Sequence, residues 1–272
     1  IESDEQNINN SEVLLWSGNQ TNQPPEKPPI SLASDHSDTN TPLKNNAAQL
    51  QANTTVFYLD KSITLKNRSL LPKSVSFTNS MPQADYALLK EGNDDYLWMA
   101  GSGDLIKKER KLSNDTILER IKFLDWSERY SALAQKGKLP ANIDLSGSGK
   151  GSTARKGEDL GFVINAPKGG YMMLANLDAS GSISILFPGN KREIRRFDKA
   201  SKITLPKFAK VTPPYGQDKL FAFIFESDAL LKKYANKSFK YNSKLGKSFE
   251  RSLKNTDTNA YGADLLRLTT TQ

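Results

Sequence analysis

The densest chemistry in this sequence is cationic. The stretch N-K-R-E-I-R-R-F-D-K-A-S-K (190–202) holds Lys191, Arg192, Arg195, Arg196, Lys199 and Lys202 against Glu193 and Asp198. Arginine guanidinium groups fork onto phosphate or carboxylate oxygens in pairs. The segment therefore suits an acidic protein face, an anionic glycan or a membrane surface. The plainer reading is a solvated loop between strands, the usual meaning of a charge run. Nucleic acid fits less well, because few aromatic side chains stand nearby to stack on bases and no recognised binding motif is present.

Other residue groups carry less. Asp178 with Asn176 could ligate a cation, but D-A-S-G (178–181) is first of all a turn that an Asp closes with its own carboxylate. S-G-S-G-K-G-S-T (146–153) resembles a phosphate loop, yet Lys150 precedes Gly151 rather than Ser or Thr. A strand rather than a helix is expected after it, so a flexible linker is the default. The carboxylate pairs Asp94-Asp95 and Glu158-Asp159 are sequence neighbours, which point to opposite faces of a strand. They do not make the facing pair that glycoside hydrolysis needs. The chain has no Cys, and its one His, His36, sits in the polar run S-D-H-S-D. Thiol chemistry, zinc–thiolate sites, a Ser-His-Asp triad and a multi-His metal site are thus closed to this chain alone. No catalytic residue, metal or cofactor is expected. No apolar run approaches the ~18 residues of a membrane span.

These groups must be held by elements, and the sequence divides accordingly. Among 272 residues, 1–145 carry 16 basic and 19 acidic side chains, a net of −3, whereas 146–272 carry 22 and 11, a net of +11. Residues 1–53 are dense in Pro, Asn, Ser and Thr and read as a flexible lead. Within it E-V-L-L-W (12–16) could pair as a strand, and P-P-E-K-P-P favours polyproline II. From Thr54 to Pro140 a small α/β unit is predicted. Strands fall at T-T-V-F-Y-L-D, at 74–77, at 86–90 and at 96–99, the last two forming a hairpin. A helix follows with Ile117, Ile121, Leu124, Tyr130 and Ala134 along one stripe. Ser113, Asp115 or Thr116 caps it, Gly137 stops it and Pro140 follows. Residues 141–154 read as a linker. From 155 to 272 short strands at 160–165, 171–177, 182–187, 202–205 (ended by Pro206) and 220–226 alternate with Gly and Pro turns. Two short helices and a last strand at 263–269 complete the chain. The fold class predicted is mainly β with an α+β part: an antiparallel β-sandwich preceded by a small α/β unit.

Five spaced elements of the Arg155–Ser227 block occur together in order: Gly157–Phe162, Gly170–Leu174, Asn176–Gly181, Leu186–Asn190 and Gly216–Ser227. In this pattern the block, about a quarter of the chain, resembles the bacterial domain family known as DUF4384. One departure is L-F-P-G-N (186–190) where the family has a turn one residue shorter. P-Q-A-D-Y-A-L-L (82–89) is similar to the segment that precedes this domain in the family. The resemblance implies a carboxy-terminal accessory region that follows a caspase-like peptidase or another signalling enzyme, with no catalytic residue of its own. The chain opens on Ile1 rather than Met, which leaves room for a removed leader or upstream domain.

The leading expectation is a non-catalytic module that positions partners or substrates for such an enzyme. The alternative is a secreted or envelope module that binds anionic surfaces through 190–202, a setting with which the lack of Cys agrees. A cryptic hydrolase is the third reading.

Overall fold

The computed structural model describes residues 54–146 and 153–271. The lead 1–53, with E-V-L-L-W, the Pro-rich run and His36, lies outside the described residues, as does most of the 146–153 segment.

The molecule is mainly β. Strands β1 (Thr55–Leu59), β2 (Val75–Thr78), β3 (Tyr86–Glu91), β4 (Asp95–Ala100) and β5 (Leu105–Arg110) form a sheet in the order β2-β1-β3-β4-β5. The predicted 86–99 hairpin is present, with Glu91 opposite Asp95. Helix α1 (Asn114–Ala134) follows, and Ser113 caps it by accepting from the Thr116 amide at 3.1 Å. The chain continues through β6 (Asn142–Ser146), β7 (Thr153–Arg155), β8 (Asp159–Ala166), β9 (Gly170–Leu177), β10 (Ser182–Phe187), β11 (Arg196–Phe197), β12 (Ser201–Lys210) and β13 (Gly216–Phe225). It closes with α2 (Ala229–Tyr234), β14 (Ser238–Lys240), α3 (Lys244–Lys254) and β15 (Tyr261–Thr271). A second sheet runs β14-β10-β9-β13-β15-β7, with β11 alongside β9, and a third runs β12-β8-β6.

The second and third sheets make the expected sandwich. Leu160, Phe162 and Ile164 of β8 and Ile203 of β12 pack on Met172, Leu174, Leu220, Ala222 and Ile224. The alternate residues of the same two central strands, Met173, Ala175, Leu177, Phe221, Phe223 and Phe225, enter a second core. That core also contains Phe57, Leu88 and Trp98 of the first sheet and Ile117, Ile121, Leu124 and Tyr130 of α1. The second sheet is therefore covered on both faces, which explains why L-F-A-F-I-F (220–225) is apolar without a break: a strand buried on both sides has no polar face to present. Phe221, Phe223, Phe225 and Tyr261 form a ladder with successive ring centroids 5.8, 5.6 and 6.1 Å apart. Tyr130 meets Phe221 edge-on at 5.2 Å. Each such ring withdraws apolar area worth about 1.5–3 kcal/mol.

Three local readings change. β12 does not end at Pro206 but continues to Lys210 through a register shift between Leu205 and Ala209. As the outer strand of its sheet it can accommodate a proline at a bulge. Part of the expected 141–154 linker is strand: Ile143 and Leu145 of β6 lie opposite Ile164 and Phe162. Gly137 lies three residues beyond the end of α1 and does not have a positive φ. A Cβ there would stand 2.5 Å from the Tyr261 carbonyl oxygen, so its small size serves a close approach of chains.

Candidate functional site

The basic segment is an ordered edge rather than a loose loop. A single 3-10 turn spans Lys191–Glu193, and the Asn190 side chain caps it by accepting from the Arg192 amide at 2.9 Å. Glu193 makes no direct ion pair with the cations around it among the described residues. Its carboxylate turns back on the loop, accepting from the Gly189 amide at 2.8 Å and from the Asn190 side-chain amide. Arg196 then pairs with Tyr171 and Phe197 with Gly170. The turn into β12 is closed by the Ala200 amide donating to the Pro167 carbonyl at 3.0 Å and by Ser201 donating to the Asp198 carbonyl at 2.6 Å.

All six cations, Lys191, Arg192, Arg195, Arg196, Lys199 and Lys202, are exposed. Lys191, Arg192, Arg196, Lys199 and Lys202 enter none of the ion pairs found among the described residues. The Arg195 guanidinium lies 5.1 Å from the centre of the Phe197 ring. The six exposed cations thus follow one another along a run that passes through the 3-10 turn, β11 and the start of β12.

The D-A-S-G turn holds Asp178 as its own cap. One carboxylate oxygen accepts from the Ser180 amide at 2.8 Å, the Ser180 hydroxyl at 2.7 Å and the Ser182 amide at 2.9 Å. Asn176 donates instead to Asp218 at 3.4 Å, and the Ala179 amide donates to the other Asp218 oxygen at 3.2 Å. Burial pushes the Asp218 carboxyl up to about 7, and the Asp178 charge adds to the rise. No group of three or more His, Cys, Asp or Glu residues able to hold a metal is found among the described residues. The pairs Asp94-Asp95 and Glu158-Asp159 are structural where the bonds are seen. Asp95 pairs with Lys108 at 3.1 Å and Arg110 at 3.3 Å, and Glu158 accepts from the Arg155 amide at 3.0 Å.

Sequence reasoning missed two polar groupings. One is buried between β13 and α1, where Lys219, only 4 % exposed, donates to Glu128 at 2.8 Å and to Ser131 at 3.3 Å. Tyr86 also donates to Glu128, and Arg267 stands 3.9 Å away. Burial alone would raise the Glu128 carboxyl, but Lys219 and the Tyr86 hydroxyl bring it below its ordinary value. Burial lowers the Lys219 ammonium despite Glu128, and raises the Tyr86 phenol well above its usual range. The signal in the sequence was a lysine directly before the apolar run Leu220–Phe225. The second grouping lies where α2 meets α3 and gathers Lys233, Tyr234, Ser248 and Ser252. The i, i+4 spacing of the two serines was the available clue.

No protein-family model matches the chain, and no curated protein matches it. No helix among the described residues is long and apolar enough to cross a membrane.

Proposed function

We propose that this chain is a non-catalytic interaction module that docks an acidic face of a partner protein through residues 191–202. The observation that carries the reading is the anchored edge on which five exposed cations have no acidic partner among the described residues. Exposed lysines and arginines on an anchored segment attract an acidic surface over a Debye length of about 8–10 Å and lose that attraction in salt. The resemblance to accessory regions of caspase-like proteins supports the same reading, with the partner or substrate positioned for a peptidase domain elsewhere in a larger bacterial protein. A secreted or envelope module acting on anionic surfaces would use the same residues.

The test is retention on immobilised polyglutamate, with vesicles of anionic lipid and single-stranded DNA run in parallel. The chain is expected to bind polyglutamate at low salt and elute as salt rises. The variant Arg192→Ala/Arg196→Ala/Lys199→Ala should elute markedly earlier. Unchanged retention of that variant would overturn the docking site, and retention only on vesicles would redirect it to membranes.

A further inference from the structure

Helices α2 and α3, with the end of β13 and the segment before β15, line an open cleft of about 430 Å³, within the size range of small-ligand sites. Its apolar wall is formed by Phe225, Leu230 and Ala260, and its polar wall by Lys233, Ser252 and Asn255. The two walls differ in kind. Phe225 is buried in the aromatic ladder, so the apolar wall ends on the second sheet. The polar wall centres on one cation. The Lys233 ammonium donates to the Ser248 hydroxyl at 3.2 Å and the Ser252 hydroxyl at 3.4 Å. The Tyr234 hydroxyl lies 3.0 and 3.2 Å from the same two oxygens.

This arrangement leaves an excess of donors. An ammonium has three hydrogens and no acceptor of its own, and two of them go to the serines; the two tyrosine–serine bonds use two of the three hydroxyl hydrogens, so one ammonium and one hydroxyl hydrogen remain. Lys233 enters no ion pair among the described residues, whereas its neighbour Lys232 is paired with Asp228 at 2.7 Å. Asp257 is occupied by its own turn, accepting from the Asn259 amide at 2.9 Å. No carboxylate lines the cleft among the described residues. The cluster already favours negative charge. Burial would raise the Tyr234 phenol, but hydrogen bonds from Ser248, Ser252 and Lys233 bring it below its ordinary value.

We propose that the α2–α3 cleft binds a small amphipathic anion, a single apolar chain ending in one carboxylate. The chain lies along Phe225, Leu230 and Ala260, and the carboxylate accepts from Lys233 and Ser252. One cation with one spare hydroxyl hydrogen matches one carboxylate, and the apolar wall disfavours an ion that lacks a hydrophobic part. This site goes beyond the docking edge and does not depend on it.

Decanoate is the probe, titrated into the ¹⁵N-labelled chain and followed by amide chemical shifts, with decanol and acetate as controls. Decanoate should shift amides of α2, α3 and residues 225–227, and bind at least tenfold more tightly than decanol or acetate. Lys233→Ala should reduce decanoate to the level of decanol. Ala229→Trp, which fills the cleft from an exposed position, should abolish both. Arg192→Ala/Arg196→Ala/Lys199→Ala should leave decanoate binding unchanged, so this site and the docking edge stand or fall separately. Absence of shifts at α2 and α3, or equal binding of decanoate by the chain and by folded Lys233→Ala, would overturn the proposal.

Discussion

Asp218 is a side chain whose charge state is set by its surroundings. Its carboxyl is raised from an unfolded value near 3.8 to about 7. Between those values the folded chain keeps a proton that the unfolded chain releases, so stability falls as pH rises through the window and is flat above it. Each unit of such a shift corresponds to about 1.4 kcal/mol. Asp218→Asn should therefore match the parent in urea titrations near pH 4 and be clearly more stable at pH 8. A difference independent of pH would show that Asp218 does not titrate in this way. Lys219 makes a second residue-scale case. Lys219→Met should cost about 3 kcal/mol, because it leaves Glu128 half-buried with only a distant cation. Glu128→Gln added to it should recover part of the loss, and a double-mutant cycle measures the coupling. Neither environment was legible beforehand. Asp218 and Lys219 are adjacent in sequence, and only the packing of α1 on one side and the 178–181 turn on the other gives them opposite roles.

At the scale of elements, the strands and helices followed from pattern where pattern was strong. The run T-T-V-F-Y-L-D, the hairpin at 86–99, the helical stripe from Ile117 to Ala134 and the strands at 160–187 all formed close to their expected bounds. Elements that rely on neighbours were the ones missed. L-I-K-K-E-R (β5) and N-I-D-L-S (β6) carry too few apolar residues to declare themselves, and each is held by a partner strand. The passage of residues 137–139 over β15 was equally silent. There the Leu139 amide donates to the Tyr261 carbonyl at 3.0 Å, and a Cβ on Gly262 would lie 1.7 Å from the Leu139 carbonyl oxygen. Backbone cannot yield as a side-chain tip can, so Gly262→Ala should cost at least the ~1–3 kcal/mol typical of overpacking. Differential scanning calorimetry would read this as a fall of several degrees in Tm, and an unchanged Tm would refute the close approach.

At the scale of the molecule, the aromatic face of the second sheet joins the two halves of the sequence. Phe57 and Trp98 share one core with Phe221, Phe223 and Phe249, and the described residues fall within one compact unit. A fragment spanning 155–272 would expose that face to water. Expressed alone it should aggregate or bind a hydrophobic dye strongly, while the full chain unfolds in a single transition over the described region. A soluble, dye-silent fragment would show instead that the sandwich stands without α1.

The sequence by itself determined the strand-and-turn grammar, the position of the long helix, the absence of cysteine chemistry and the concentration of positive charge at 191–202. These are local properties, set by side-chain period, turn residues and composition. The tertiary structure decided which charges are left over. Glu193 was counted against its neighbouring arginines in sequence and in fact closes its own loop. Lys219, an ordinary lysine in the sequence, is buried against Glu128, and Lys233 meets two serines fifteen and nineteen residues away. Charge is carried by the residue, but what it pairs with depends on contacts between distant segments, which no local pattern specifies.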